Sequence, residues 1–342
     1  PALRAVATVG LPHDSALAIE KPFGTSLESA RELNELLHTE FPEQPVFRVD
    51  HFLSDELVQR VFALRFANRV FEPIWNREHI ESIDLIWDET LALEGRADYY
   101  DRAGALRDMI QSHLLAALSL VAMEPPSRRD ERSIRDARAA VLRAIPTPEQ
   151  ASVARTAVRG RYTAGDIAGR TAPSYVDEPG VDRARATETF AELTVDVANW
   201  RWAGVPFRMR SGKALATDHA EIAVHFRRPP VAGPEIDKSP ANVLRIGLLD
   251  PYVRLGMNVN AADFTLAPVD LELCSQPPAR PAYANLILEM LQANTTLAIR
   301  ADETEEMWRI VEPVLAAWKA NKAPMLDYPA GSIGPTQTSH RH

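Results

Sequence analysis

Two hydrophobic rhythms run along this chain, and the change from one to the other divides it. Leu17-Ala18-Ile19 is a short apolar run ending at Glu20-Lys21-Pro22-Phe23-Gly24, the pattern of a strand followed by a turn. Thr25 to Glu28 fits a helix-capping box, and Leu27, Ala30, Leu33, Leu36 and Leu37 then recur at helical spacing. Pro45–Asp50 returns to strand character, so residues 1–50 read as strand, helix, strand, the tail of a doubly wound sheet. The pattern next predicts a helix over 55–68, a strand over 80–87 and a long apolar helix over 104–123, stopped by Pro125-Pro126. Residues 127–144, opening with Arg128, Arg129, Asp130, Glu131 and Arg132, read as a charged helix with a solvated face.

Beyond Val158 the rhythm changes. Strand-like stretches recur at 187–200, 221–226, 243–249 and 253–259, split by Pro and Gly turns, and two helices close the chain near 283–293 and 303–320. Strands gathered together with helices outside them predict an α+β fold. Residues 1–50 are expected to be the C-terminal remnant of a Rossmann-like domain. Residues 51–342 form a large, mostly antiparallel β-sheet domain with helices on one side. The tail, 328–342, is expected on the surface.

Composition narrows the classes. With 342 residues, 46% hydrophobic and 25% charged, the chain has the make-up of an ordinary globular protein. A net charge of −9 argues against a general nucleic-acid binder, and an anionic substrate would need local positive charge against that field. The single cysteine, Cys274, leaves no disulfide framework and no cysteine-rich metal site. No apolar run is long enough to span a bilayer, and cytoplasm is the expected location. The chain opens on Pro1 with no initiator Met and no signal-peptide pattern, as if entered in the middle.

The densest chemistry lies in Arg48-Val49-Asp50-His51-Phe52-Leu53-Ser54-Asp55-Glu56. An acid and an imidazole end a strand, and a helix starts at once, with Ser54 as N-cap and Asp55 and Glu56 in the first turn. Free N–H groups at such a junction suit sugar and phosphate chemistry. Alternation along the strand sends Asp50 and His51 to opposite sides. His113 sits on the apolar helix, in Arg107-Asp108-Met109-Ile110-Gln111-Ser112-His113. It reads either as a satisfied core histidine or as a general base that takes a hydroxyl proton while hydride leaves the same carbon. A carboxylate such as Asp50 would fix its tautomer. Glu89 and Asp108 are either solvated carboxylates or acceptors for sugar hydroxyls. Arg208-Met209-Arg210-Ser211-Gly212-Lys213 sets three cations beside a Gly turn, a phosphate grip or simply a hairpin tip.

Many short stretches occur together and in order: I-E-K-P-F-G (19–24), R-V-D-H-F-L (48–53), L-R-F-A-N-R-V-F-E-P-I-W-N-R (64–77), E-G-R-A-D-Y-Y-D (94–101) and R-D-M-I-Q-S-H-L-L (107–115). They continue with V-A-M-E-P-P (121–126), V-R-G-R-Y-T-A-G (158–165), T-E-T-F (187–190), N-W-R-W-A-G-V-P-F (199–207), S-G-K-A-L (211–215), R-A-D-E-T-E-E-M-W (300–308) and Y-P-A-G-S-I-G-P (328–335). Over nearly its whole length the chain resembles the glucose-6-phosphate dehydrogenase family. The resemblance implies oxidation of glucose 6-phosphate at C1 to 6-phosphoglucono-lactone with NADP, or NAD in some members, in the oxidative pentose phosphate pathway. It implies a homodimer or homotetramer formed through the antiparallel-sheet domain, with no nucleic-acid or membrane partner and no metal. It carries His113 onto the catalytic base and Asp50 onto its orienting carboxylate. His51 falls on a phosphate ligand, Glu89 and Asp108 on sugar contacts, and Lys213 on a further substrate lysine. Lys21 falls between substrate and coenzyme, with Pro22 beside the coenzyme.

Three departures from the family pattern qualify these expectations. The Gly-rich loop G-x-x-G-D-L-A does not occur, and without it the coenzyme diphosphate has no cradle, so this chain is expected to be an inactive piece of a longer polypeptide. Asp55 stands where the family has lysine, and Asp218 where it has a basic residue. Two like charges about 4 Å apart repel by roughly 4 kcal/mol near a protein surface. These losses motivate two alternatives: a divergent dehydrogenase for a non-phosphorylated sugar, and a non-catalytic paralogue serving as a partner subunit.

Overall fold

A computed structural model describes residues 2–12, 15–42, 44–50, 56–230, 233, 236, 238–249, 252–262, 265–274, 282–296 and 298–336. After helix α1 (Ala2–Val9) come strand β1 (Leu17–Glu20), helix α2 (Leu27–Glu40) and strand β2 (Val46–Val49). β1 and β2 pair in parallel, from Leu17 opposite Val46 to Glu20 opposite Val49, so their carboxyl ends lie side by side. The N-cap of α2 is Ser26, one residue later than the expected box: Ser26 Oγ accepts from the Ser29 N–H at 3.2 Å and Ser29 Oγ accepts from the Ser26 N–H at 3.0 Å.

Helix α3 (Glu56–Phe66) and strand β3 (Ile80–Asp88) follow. The helix expected over 104–123 is present in two windings, a π-helix (Leu106–Leu114) running into helix α5 (Leu115–Ala122), and a further helix α4 (Ala97–Ala105) precedes it. Gly104 separates α4 from the π-helix, because it turns at φ 71°, where the chain kinks. Helix α6 (Glu131–Arg143) is capped by Asp130, whose carboxylate accepts the Ser133 N–H at 2.8 Å. Its expected solvated character holds for one face only, since Ile134, Arg138, Val141 and Leu142 are buried.

Helix α7 (Val153–Thr156), strand β4 (Ala157–Thr163), the hairpin β5 (Gly165–Ile167) and β6 (Arg170–Ala172), and strands β7 (Phe190–Asp196), β8 (Pro206–Gly212), β9 (His219–Phe226), β10 (Val243–Gly247), β11 (Tyr252–Asn260) and β12 (Leu266–Cys274) come next. Helices α8 (Ala282–Leu291) and α9 (Ala301–Lys319) and strand β13 (Met325–Pro329) complete the described fold. Nine strands form one sheet in the order β12–β11–β10–β9–β3–β8–β7–β4–β13. It is antiparallel except for the β3–β8 and β4–β13 pairs. The mostly antiparallel α+β architecture expected from the sequence is therefore present.

β4, β5, β6, β8, β12 and β13 are absent from the sequence-based expectation. β8 hides because cations alternate with Phe207 and Met209, and Pro206 sits at its first residue, where a strand tolerates proline. β13 lies across the start of the segment expected on the surface; Tyr328 is instead buried, and its hydroxyl donates to the Lys213 carbonyl at 2.8 Å. The main core fills the space between sheet and helices with Trp75, Ile110, Leu114, Leu193, Phe207 and Ile222, all fully buried. Each such side chain contributes about 1.5–3 kcal/mol. A second cluster, Tyr100, Tyr162, Tyr175, Phe190 and Tyr328, joins α4 to β4, β7 and β13.

Candidate active site

Lys21 follows β1 and Asp50 follows β2, so the parallel pairing brings both to one end of the strand pair. The carboxyl ends of parallel strands are where open sheets place their ligands. The π-helix supplies Asp108 and His113 to the same place. These two are five residues apart. In an α-helix they would stand about 140° from each other, at roughly 100° per residue. The i→i+5 bonding of a π-helix returns them to nearly one face. Both reach the same ammonium: Lys21 Nζ donates to Asp108 Oδ1 at 3.1 Å and to the Asp108 carbonyl at 3.1 Å, and lies 2.7 Å from His113 Nε2.

On the other side of the ring, His113 Nδ1 is 2.7 Å from Asp50 Oδ1, and both residues are buried, at 1% and 3% exposed. An ammonium only donates, so Nε2 accepts from Lys21 and Nδ1–H donates to Asp50. Burial alone would raise the Asp108 carboxyl, but the Lys21 ammonium and hydrogen bonds from Lys21 and the Tyr99 hydroxyl outweigh it and hold Asp108 below the usual range. The Tyr99 bond is 3.0 Å long.

A second pair stands where β3 and β8 run parallel, with Asp88 opposite Gly212. That register places Glu89 beside Lys213, and Lys213 Nζ donates to Glu89 Oε2 at 2.6 Å. The Lys213 ammonium lies 5.3 Å from the centre of the Tyr100 ring, and its charge also acts on Asp108. Arg210 is committed elsewhere: it pairs with Asp88 at 2.7 Å and donates to the Ile333 carbonyl at 2.8 Å. Burial pushes Asp88 up to about 6 despite that partner. Asp218 accepts the Thr90 N–H at 2.7 Å and the Thr90 hydroxyl at 3.0 Å, which sets an anion one residue from Glu89. Pro22 follows Lys21 through a cis peptide bond. His51 and Asp55 lie outside the described residues.

The structure thus brings Lys21, Asp50, Asp108 and His113 into one cluster and Glu89 with Lys213 into a second. Sequence reasoning missed Tyr99 and Tyr100, which stand in the quoted E-G-R-A-D-Y-Y-D stretch. It also missed Arg138 on α6, fully buried and 3.0 Å from Glu303 on α9. The charge of Arg138 and that of Asp50 act on each other.

Fold and site together define a class, an α+β protein in which two parallel strands deliver a lysine and a carboxylate to a histidine carried on a helix packed against a large mixed sheet. The chain belongs to the glucose-6-phosphate dehydrogenase family. The family's C-terminal domain matches residues 62–341 and its NAD binding domain matches residues 2–60. The glucose-6-phosphate 1-dehydrogenase of Treponema pallidum is 42% identical over 333 residues, covering 93% of this chain and 64% of that protein. The enzyme of the same name from Gluconobacter oxydans is 40% identical over 334 residues, covering 95% and 68%. This chain therefore spans about two thirds of the length of these relatives. Among solved structures, glucose-6-phosphate 1-dehydrogenase from Mycobacterium avium superposes with a TM-score of 0.86 at 34% identity, covering 97% of this chain and 70% of that one. A glucose-6-phosphate dehydrogenase in complex with its substrate glucose-6-phosphate gives a TM-score of 0.85 at 33% identity, covering 94% and 67%.

Proposed function

We propose that this chain carries the base and the sugar site of a glucose-6-phosphate dehydrogenase, which oxidises the C1 hydroxyl of glucose 6-phosphate to the 6-phosphoglucono-lactone. The observation that supports it most is the buried line Asp50–His113–Lys21 at the end of two parallel strands. Residues 1–50 belong to the coenzyme domain on this reading, and 51–342 to the substrate and subunit-contact domain. A homodimer or homotetramer in the cytoplasm completes the proposal.

Lys21 and Pro22 fit the nicotinamide end of a coenzyme. They stand at the carboxyl end of a parallel strand, and the ammonium borders the base. NADP is the proposed coenzyme, and when bound it supplies the hydride acceptor. This chain's residues do the rest. A sugar hydroxyl takes the place of the Lys21 ammonium at His113 Nε2 and donates its proton there. Nδ1–H stays on Asp50, whose charge stabilises the imidazolium. Lys21, kept in place by Asp108, stands within reach of the sugar oxygen. Glu89 accepts from a sugar hydroxyl and Lys213 donates to the substrate, while His51, outside the described residues, is carried over from the family as a phosphate ligand.

The test is His113→Asn in the longer native polypeptide, with sugar binding followed separately by calorimetry. Turnover should fall at least about a hundredfold with binding retained. Unchanged turnover refutes the assignment. The Asp218–Thr90 contact favours a second reading, an unphosphorylated sugar, because it holds an anion beside Glu89. Titrating this chain with glucose 6-phosphate and with glucose separates the two. Tighter binding of the ester supports the first reading, and equal binding supports the second.

A further inference from the structure

Glu188 has no part in the chemistry above, yet it is 6% exposed and sits against the element that carries the base. Its backbone oxygen accepts the Ala105 N–H at 3.2 Å, and its carboxylate Oε1 accepts the Leu106 N–H at 3.1 Å. These N–H groups stand where α4 ends and the π-helix begins. Gly104 makes room for this contact. A Cβ built there would lie 2.3 Å from Glu188 Oε1, and Gly104 also holds a left-handed φ of 71°. Neither requirement is met by another residue type without movement.

The segment presenting Glu188 is itself tied down on both sides. The Thr187 hydroxyl donates to the Asp101 carbonyl on α4 at 2.6 Å. Thr189 donates its N–H to the Gly160 carbonyl at 2.8 Å, and its hydroxyl lies 2.9 Å from the Tyr328 hydroxyl. The T-E-T-F stretch is therefore a rigid bracket reaching from the sheet to the start of the catalytic helix.

The first N–H groups of a helix have no partner within it, and a π-helix, bonded i→i+5, leaves more of them than an α-helix, so an outside acceptor fixes where it begins. We propose that Glu188 is a positioning residue for the base: its two oxygens fix where the π-helix starts and in what phase, and so hold Asp108 and His113 on the one face that meets Lys21 and Asp50. This rests on the reading of His113 as the base. Without the carboxylate, the Leu106 N–H loses its acceptor and the start of the helix is free to slip. A slip of one residue turns His113 away from Asp50.

The experiment compares Glu188→Ala, Glu188→Gln and the wild type. In this chain, the readout is the low-field Nδ1–H proton signal of His113 in nitrogen-labelled histidine spectra, assigned by its loss in His113→Asn. Glu188→Ala should weaken or abolish the signal, and Glu188→Gln, which keeps an acceptor for Leu106 N–H, should restore it. In the longer native polypeptide, Glu188→Ala should lower kcat about tenfold to a hundredfold with little change in the sugar KM, and Glu188→Gln should recover most of it. Should Glu188→Ala fail to fold, Glu188→Asp carries the same test, being one methylene too short to reach Leu106. A retained signal and unchanged kcat in the folded Ala or Asp variant overturns the proposal, as does a Gln variant as damaged as Ala. If glucose 6-phosphate is not the substrate, the wild type fails to turn it over, while the histidine signal still reports on the positioning role.

Discussion

Replacing Glu303 by Gln strands a buried guanidinium. Arg138 is 1% exposed and Glu303 is fully buried, and their 3.0 Å ion pair joins α6 to α9. Burial drives Glu303 up and Arg138 down, each toward its neutral form even with the partner in place. Desolvation therefore outweighs attraction, and the pair contributes little net stability while being costly to break. Gln keeps an acceptor for the Arg300 N–H that Glu303 now caps at 2.8 Å, so the change isolates the charge. Removing one partner of a buried pair costs about 3–5 kcal/mol. At about 2.1 cal/mol/K per residue, 342 residues give an unfolding entropy near 0.7 kcal/mol/K, so Tm should fall by about 4–7 °C. Arg138→Met with Glu303→Leu removes both charges and should return Tm to within about 2 °C of the wild type, or above it. Thermal melts followed by circular dichroism, with urea titrations alongside, measure both. An unchanged Tm in Glu303→Gln, or a double variant as unstable as the single one, would refute this account of the pair.

Asp50→Asn in the longer native polypeptide should lower kcat about a hundredfold to ten-thousandfold with sugar binding kept, because the amide can turn its NH2 toward Nδ1 and reverse the tautomer; steady-state kinetics with calorimetry checks it. Glu221 is held down at about 2 from an ordinary 4.5: burial would raise it, but hydrogen bonding from His219, the Arg245 guanidinium and the Tyr252 hydroxyl prevail. A depressed carboxyl contributes stability above pH 4.5 that is lost as pH falls toward 2. Urea midpoints for Glu221→Gln should therefore show a loss of about 2–3 kcal/mol at pH 6 that shrinks steadily below pH 4.5. Asp218→Arg removes an anion and adds a cation beside Glu89, and should tighten glucose 6-phosphate binding about fivefold to thirtyfold with glucose affinity unchanged, read by calorimetry.

The sequence made some of this fold legible and hid the rest for physical reasons. β1, α2 and β2 showed because Leu17–Ile19 and the Leu27–Leu37 series have the periods of exposed-edge strand and amphipathic helix. β8 stayed hidden because Arg208 and Arg210 occupy its alternate positions and are neutralised by Asp84 and Asp88 on the neighbouring β3, a pairing no local pattern reveals. The charge run at 128–132 drew attention from Arg138, whose partner Glu303 is remote in sequence. Asp50 and His113 were recognisable as residue types, and the family resemblance joined them. Their contact depends on how β2 and the π-helix meet.

The π-helix was the least legible element, and it matters most to the site. Leu106, Met109, Ile110 and Leu114 fit an α-helical stripe, so hydrophobic spacing alone cannot tell one winding from the other. The polar residues decide it, since only the wider winding lets Asp108 and His113 share Lys21. The charges explain why sharing matters. Lys21 Nζ lies 3.1 Å from Asp108 Oδ1 and 2.7 Å from His113 Nε2, so the Asp108 carboxylate sets where the cation stands at the imidazole. On the proposed reading Asp108 therefore serves the base, through Lys21, as well as the sugar, and the helix that brings it within reach of Lys21 is part of the same device.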